Sequence, residues 1–166
     1  MQLAKSFFLE LERESKNTRK MLTAVPEDKF SWQPHAKSMS LMRLAAHIAE
    51  IPGMFVTHAL ASDSLDFATF NFQPKEVKSS GELLEFYDET LQPALEALKA
   101  ASEDDLMKHW VMRQGEIELV NLPKFAIIRS LCLNHIVHHR GQLSVYLRLL
   151  DVPVPGMYGP SADEAF

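Results

Sequence analysis

Residues 131–143 read Leu131-Cys132-Leu133-Asn134-His135-Ile136-Val137-His138-His139-Arg140-Gly141-Gln142-Leu143, and three of the seven histidines fall within five positions of this stretch. It lies in a helical run from about Pro123 to Leu150. Pro123 suits a first turn, where a missing N–H costs nothing, and Asp151-Val152-Pro153-Val154-Pro155-Gly156 stops the run. At about 100° per residue, His135 and His139 are about 40° apart and one turn along, so both imidazoles can address one ion. Ile128, Leu131, Gln142 and Tyr146 fall within about 40° of His135 on the same wheel, which puts His135 in the middle of the inward stripe. An inward imidazole without a partner costs on the order of 1–3 kcal/mol, and a shared cation removes that cost for both rings.

Working outward, three further amphipathic helices are expected. Leu3, Phe7, Leu11, Thr18 and Leu22 recur at three- and four-residue multiples and predict a helix over about 2–23. Ser38 or Ser40 can cap a second, with the stripe Leu41, Leu44, Ile48, Ile51 and Phe55 and a kink or break at Pro52-Gly53. Ser79 with Glu82 has capping-box spacing and opens a third through about Ala100, with Pro93 predicting a bend. Phe30 and Trp32 pin the connector between the first two helices to the core. Residues 61–78 are aperiodic and read as the longest loop. Residues 106–120 read as a short hairpin or extended excursion before the last helix. The expected fold is all-α, a four-helix bundle with that excursion, forming a single domain over 1–166.

The third ligand has to come from another helix. His47 sits at the edge of the second helix's apolar stripe and can look sideways into a groove. His58 lies about 16 Å farther along that helix, and His35 and His109 fall in connectors. His138 is expected as a supporting or surface group, Cys132 as buried apolar filler, and Glu50 as a solvated carboxylate rather than a base or ligand. Gln142 and Tyr146 are expected to pack. Three neutral nitrogens suit Zn²⁺ or Ni²⁺, with an open position for water or substrate. There is no His-Glu-x-x-His, Glu-x-x-His, Gly-x-Ser-x-Gly or Gly-rich phosphate loop, so zincin, di-iron, serine-hydrolase and nucleotide chemistries lack their residues.

Composition narrows the partners. Seventeen basic against 22 acidic residues give a net charge of −5, which argues against a binder driven by phosphate neutralisation. A single cysteine excludes an intrachain disulfide, and the apolar runs are too short for an obvious membrane span. A soluble cytoplasmic protein is expected, with neither nucleic acid nor membrane as partner.

The segment Asn134–Leu143, followed by Tyr146-Leu147-Arg148 and Val154-Pro155-Gly156-Met157-Tyr158-Gly159-Pro160-Ser161-Ala162-Asp163-Glu164, resembles the C-terminal signature of DinB-like proteins. Phe30-Ser31-Trp32-Gln33-Pro34-His35 and Ser38-Met39-Ser40-Leu41 through His47 are similar to the same family's connector and second helix. The resemblance implies a four-helix bundle, commonly a homodimer, with a divalent ion held by His47, His135 and His139. It also implies a thiol-dependent S-transferase or metal-dependent hydrolase acting on small molecules, with a non-catalytic metal-binding stress protein as the alternative. The excursion at 106–120 and the tail around Tyr158 are expected to frame the pocket mouth.

Overall fold

The computed structural model describes residues 2–164. Helix α1 (Leu3–Thr23) buries Phe7, Leu11, Thr18 and Leu22 along the expected stripe, and with them Glu14 and Met21. After a 3-10 turn at Glu27–Lys29, the connector holds the start of the second helix: Trp32 and Phe30 carbonyls accept from the Leu41 and Met42 N–H groups. Ser40 is the cap, its hydroxyl oxygen accepting from Arg43 N–H at 3.2 Å.

Helix α2 (Leu41–Ala61) runs through Pro52 without stopping. The proline supplies no N–H, and the chain answers with a wider π-helical turn at Gly53–Thr57 before resuming α geometry. Gly53 N–H bonds Glu50 O, and Thr90 of the third helix donates its hydroxyl to the Ala49 carbonyl. The same Thr90 lies so close that a Cβ at Gly53 would meet it at 3.3 Å. By length and apolar composition α2 could cross a membrane, but most of its apolar stretch is buried within the protein, as in a core helix.

Helix α3 (Ser80–Ala100) begins where expected, with Ser79 Oγ accepting from Glu82 N–H at 3.1 Å, and continues through Pro93. The short α4 (Glu103–Met107) starts on a full capping box between Ser102 and Asp105. The last helix, α5 (124–149), is assembled from Lys124–Ile127, a π-helical stretch Ile128–Asn134, and a regular α segment His135–Leu149. Pro123 ends the preceding strand instead of entering the first turn. The four long helices form a ring in which α1 and α2 each pack on α3 and α5, so α1 and α2 sit at opposite corners.

The all-α expectation needs correction. Three strands form one sheet in the order β1 (Ser64–Asp66), β2 (His109–Gln114), β3 (Ile117–Pro123). The β2–β3 hairpin is the expected excursion; its two-residue loop places Gly115 at φ +59°, a conformation that costs glycine little. Strand β1 comes from the stretch read as loop and pairs parallel to β2. Three residues are too few to show a period-2 pattern, and the pairing that makes them a strand is more than 40 residues away in sequence. The sheet covers one end of the helices around a small second core of Ala59, Leu65, Trp110 and Ile127. Buried Lys124 clamps that junction, its ammonium donating to Ser62 O at 2.8 Å and facing Asp63 at 3.3 Å.

Candidate metal centre

Helices α2 and α5 pack against one another, and His47, His135 and His139 meet between them. One nitrogen from each ring lies within 4.8 Å of one from each of the others, and His139 is buried while the other two are half-buried. The ring centroid of His47 stands 5.1 Å from that of His135 and 4.7 Å from that of His139. His135 Nε2 and His139 Nε2 are 2.8 Å apart.

Each imidazole has an acceptor on its other side. His47 Nδ1 faces Glu50 Oε2 at 3.4 Å, His135 Nδ1 faces Leu131 O at 3.2 Å, and His139 Nδ1 faces Gln142 Oε1 at 2.7 Å. A carboxylate or carbonyl oxygen can only accept, so the proton belongs on Nδ1 and the Nε2 lone pair is left free. Two such lone pairs at 2.8 Å repel unless a proton or a cation lies between them. Two nitrogens bonded to one ion at about 2.0–2.1 Å stand about 2.9 Å apart at right angles and about 3.3 Å apart in a tetrahedral site, so the observed separation lies at the short end of that range. Three neutral nitrogens with acceptor-fixed tautomers are the donor set of a borderline cation, and the oriented Nδ1 partners are the usual support of metal-binding histidines. The group could hold one metal ion.

The π-helical stretch of α5 shapes this arrangement. His135 backbone N–H bonds Cys132 O, so its α-helical acceptor, Leu131 O, receives the ring N–H. From His135 onward the helix is regular, which brings His139 one turn above His135 and Gln142 one further step along.

Burial favours the neutral form of His135 and His139. Burial pushes the His139 pKa down to about 4, helped by the neighbouring His135, His47 and His138 rings against the Gln142 hydrogen bond. His135 is lowered by burial and by His47. Glu50 departs from the solvated carboxylate expected of it: it is only 7% exposed. Arg43 grips it with two nitrogens at 3.1 and 2.7 Å, and Lys75 backbone N–H donates at 3.2 Å. Burial disfavours its charge, but the bonds from His47 and Arg43, the Arg43 charge and the Lys75 N–H outweigh that and hold its pKa below the usual value. The sequence signal was present: Glu50 is three residues after His47 and seven after Arg43, all on one helix face.

The other expectations divide. Cys132 is fully buried with its thiol pKa pushed up, an apolar filler outside the cluster. His138 is exposed and touches only the edge of the site, its ring 4.8 Å from that of His139. His58 packs on Phe70, and His109 bonds Asn121 on the hairpin. Tyr146 packs edge-on against Trp32. Gln142, read as packing, instead holds His139. The pocket mouth is a correction: beside His47 lies a cavity of about 140 Å³ walled by Phe67 and Phe72 together with α2 side chains, not by the hairpin. Tyr158 turns away to Glu14 and Arg140.

Comparison with known proteins agrees with this architecture. A Bacillus subtilis (strain 168) protein, YrdA, is 23% identical over 158 residues, spanning 95% of this chain and 89% of its own length. The crystal structure of a DinB-like protein from Bacillus cereus superposes with a TM-score of 0.68 at 22% identity, covering 93% of this chain and 97% of that one. A second, the DinB-like YjoA of Bacillus subtilis, gives 0.72 at 18% identity over 92% and 97%. The family model described as DinB family matches residues 1–165, so the chain belongs to the DinB family.

Proposed function

We propose that His47, His135 and His139 hold one divalent cation, Zn²⁺ or Ni²⁺, in a metal-dependent enzyme that activates a small thiol for S-transfer or a water molecule for hydrolysis. The observation carrying this reading is the convergence of three imidazoles whose Nδ1 atoms each face an acceptor. A bound divalent cation lowers the pKa of a coordinated thiol or water and so supplies a nucleophile at neutral pH. The chain's part is to prepare that position. Glu50, Leu131 O and Gln142 keep the imidazole protons on Nδ1, Arg43 keeps Glu50 ionised, and Phe55, tilted 5.9 Å from the His135 ring, shields the site on one side. No fourth His, Cys, Asp or Glu joins the group among the described residues, which leaves room for an exchangeable ligand.

A cytoplasmic homodimer acting on small molecules, without nucleic acid or membrane, completes this reading; the acidic balance supports the lack of a nucleic-acid partner, and the single buried thiol suits a reducing compartment. Elemental analysis of tag-free protein tests it. About one Zn²⁺ or Ni²⁺ per chain is expected in the wild type, with none in His135→Ala and loss of any thiol-consuming turnover. Metal retained by His135→Ala would reject the ligand assignment. Metal bound without turnover of thiols or esters would favour a non-catalytic metal-binding role.

A further inference from the structure

The cavity beside the triad is apolar on nearly every side. Ile51, Met54 and Phe55 form its α2 wall and Phe67 and Phe72 its loop wall, while His47 belongs to the cavity and the triad at once. Phe55 touches both as well, lining the cavity and packing against the His135 ring. The charged groups in the wall, Arg43 and Glu50, are joined to each other through two hydrogen bonds. Their charges cancel locally, so the cavity presents little net charge to a charged guest. Its volume, about 140 Å³, is close to that of a cavity of about 150 Å³ that takes up benzene.

We propose that this cavity binds the apolar part of the molecule that reaches the triad, a single aromatic ring or a short alkyl chain, and thereby selects small hydrophobic substrates over charged ones. The proposal rests on the metal-centre reading for the polar end of that molecule; the cavity itself is defined by the chain alone. A ring entering it exchanges water for Phe55, Phe67, Phe72 and Met54 contacts, and burying about 60 Å² of apolar surface is enough for a tenfold gain in affinity. Phe72, half-buried and stacked on Phe70 at 6.4 Å between centroids, and the exposed Phe67 are the wall residues that can be changed outside the helical core.

The experiment compares phenylmethanethiol with 2-mercaptoethanol on cobalt-loaded protein, followed by sulfur-to-cobalt absorption. A parallel arm titrates phenylmethanol into metal-free protein and follows the Ile51 and Met54 methyl resonances. The expected result is about tenfold or more tighter binding of the phenyl thiol, with resonance shifts at Ile51 and Met54. Phe72→Ser, and separately Phe67→Ser, should abolish that preference while cobalt stoichiometry and 2-mercaptoethanol affinity stay unchanged. Equal affinity for the two thiols, or a preference that survives both substitutions, overturns the proposal. If cobalt does not bind, the metal-centre reading fails by itself and the metal-free arm decides: shifts at Ile51 and Met54 uphold the cavity, and their absence rejects it.

Discussion

His139 and Arg140 are neighbours on α5, both buried, yet they open onto two polar clusters of opposite design. Arg140 donates to Glu14 Oε2 at 2.6 Å, to Glu14 O at 3.0 Å and to Thr18 Oγ1 at 3.2 Å, and the Tyr158 hydroxyl donates to the same carboxylate at 2.7 Å. Donors there meet acceptors and opposite charges meet, so the cluster is closed and ties α1, α5 and the C-terminal tail together. Around His139 the acceptors lie behind the rings, and in front of them lone pairs converge on lone pairs. That cluster is open, and what would complete it has to come from outside the chain. Among buried polar groups, a mismatch of this kind points to a ligand, whereas a matched set points to architecture.

The comparison breaks most visibly at Arg140. Arg140→Ala strands a buried carboxylate, and loss of one partner of a buried pair costs about 3–5 kcal/mol. Urea unfolding of metal-free protein should show that loss, while metal stoichiometry at temperatures where the variant is folded should stay at the wild-type value. A variant that keeps its stability would show that the closed cluster is not architectural.

Acid should separate the two clusters next. In the fold His139 stays neutral down to about pH 4, whereas an ordinary imidazole takes its proton near 6.5. Between these values the unfolded state binds more protons, so stability of the metal-free protein is complete above about 6.5 and falls as pH drops toward 4, by about 3 kcal/mol at most. Glu14 behaves differently. Burial opposes its charge, but Arg140 and Tyr158 hold its pKa below the ordinary 4.5. Its contribution is complete above 4.5 and is lost only as pH falls through that lower value. Unfolding curves from about pH 7 to about pH 3 should therefore show two steps. His139→Gln should shrink the upper step and Glu14→Gln the lower, to which Glu50 also contributes; a single step common to both variants would merge the clusters into one.

Glu50→Gln sharpens the open side. It keeps the shape but weakens the grip on His47 and on Arg43, and changes in such supporting groups typically cost 10–100-fold in metal affinity. Competition against a chelator measures this; unchanged affinity would remove Glu50 from the centre. The smallest effect is expected from Ser40→Ala, which removes the cap of the helix carrying His47 at about 1 kcal/mol and should leave metal affinity within twofold.

The readable parts of the site were those with local spacing. His135 and His139 lie within one regular α segment, so their convergence follows from the helical repeat. His47 could be read because it borders an apolar stripe whose helix had to pack. The 100° spacing loosens where the helix is not regular, since Ile128–Asn134 is π-helical, yet Ile128 is still buried on the side the wheel assigned it. Gln142 was legible as a neighbour of His139 but not as its hydrogen-bond partner, since side-chain pairing depends on how the ring is turned.

The helix start at Ser79, a second start at Ser38 or Ser40, an extended excursion around Gly115 and the histidine pair were determined by the sequence by itself, because caps, turns and the i, i+4 repeat act over a few residues. The parallel strand Ser64–Asp66, the burial of Glu50 under the Lys75 N–H, the closed Glu14–Arg140–Tyr158 cluster and the cavity walled by Phe67 and Phe72 were decided only by the tertiary structure. Their partners are 12 to 144 residues apart. Separations of that length carry no local pattern, and the contacts exist only once the helices have packed and brought the loops over them.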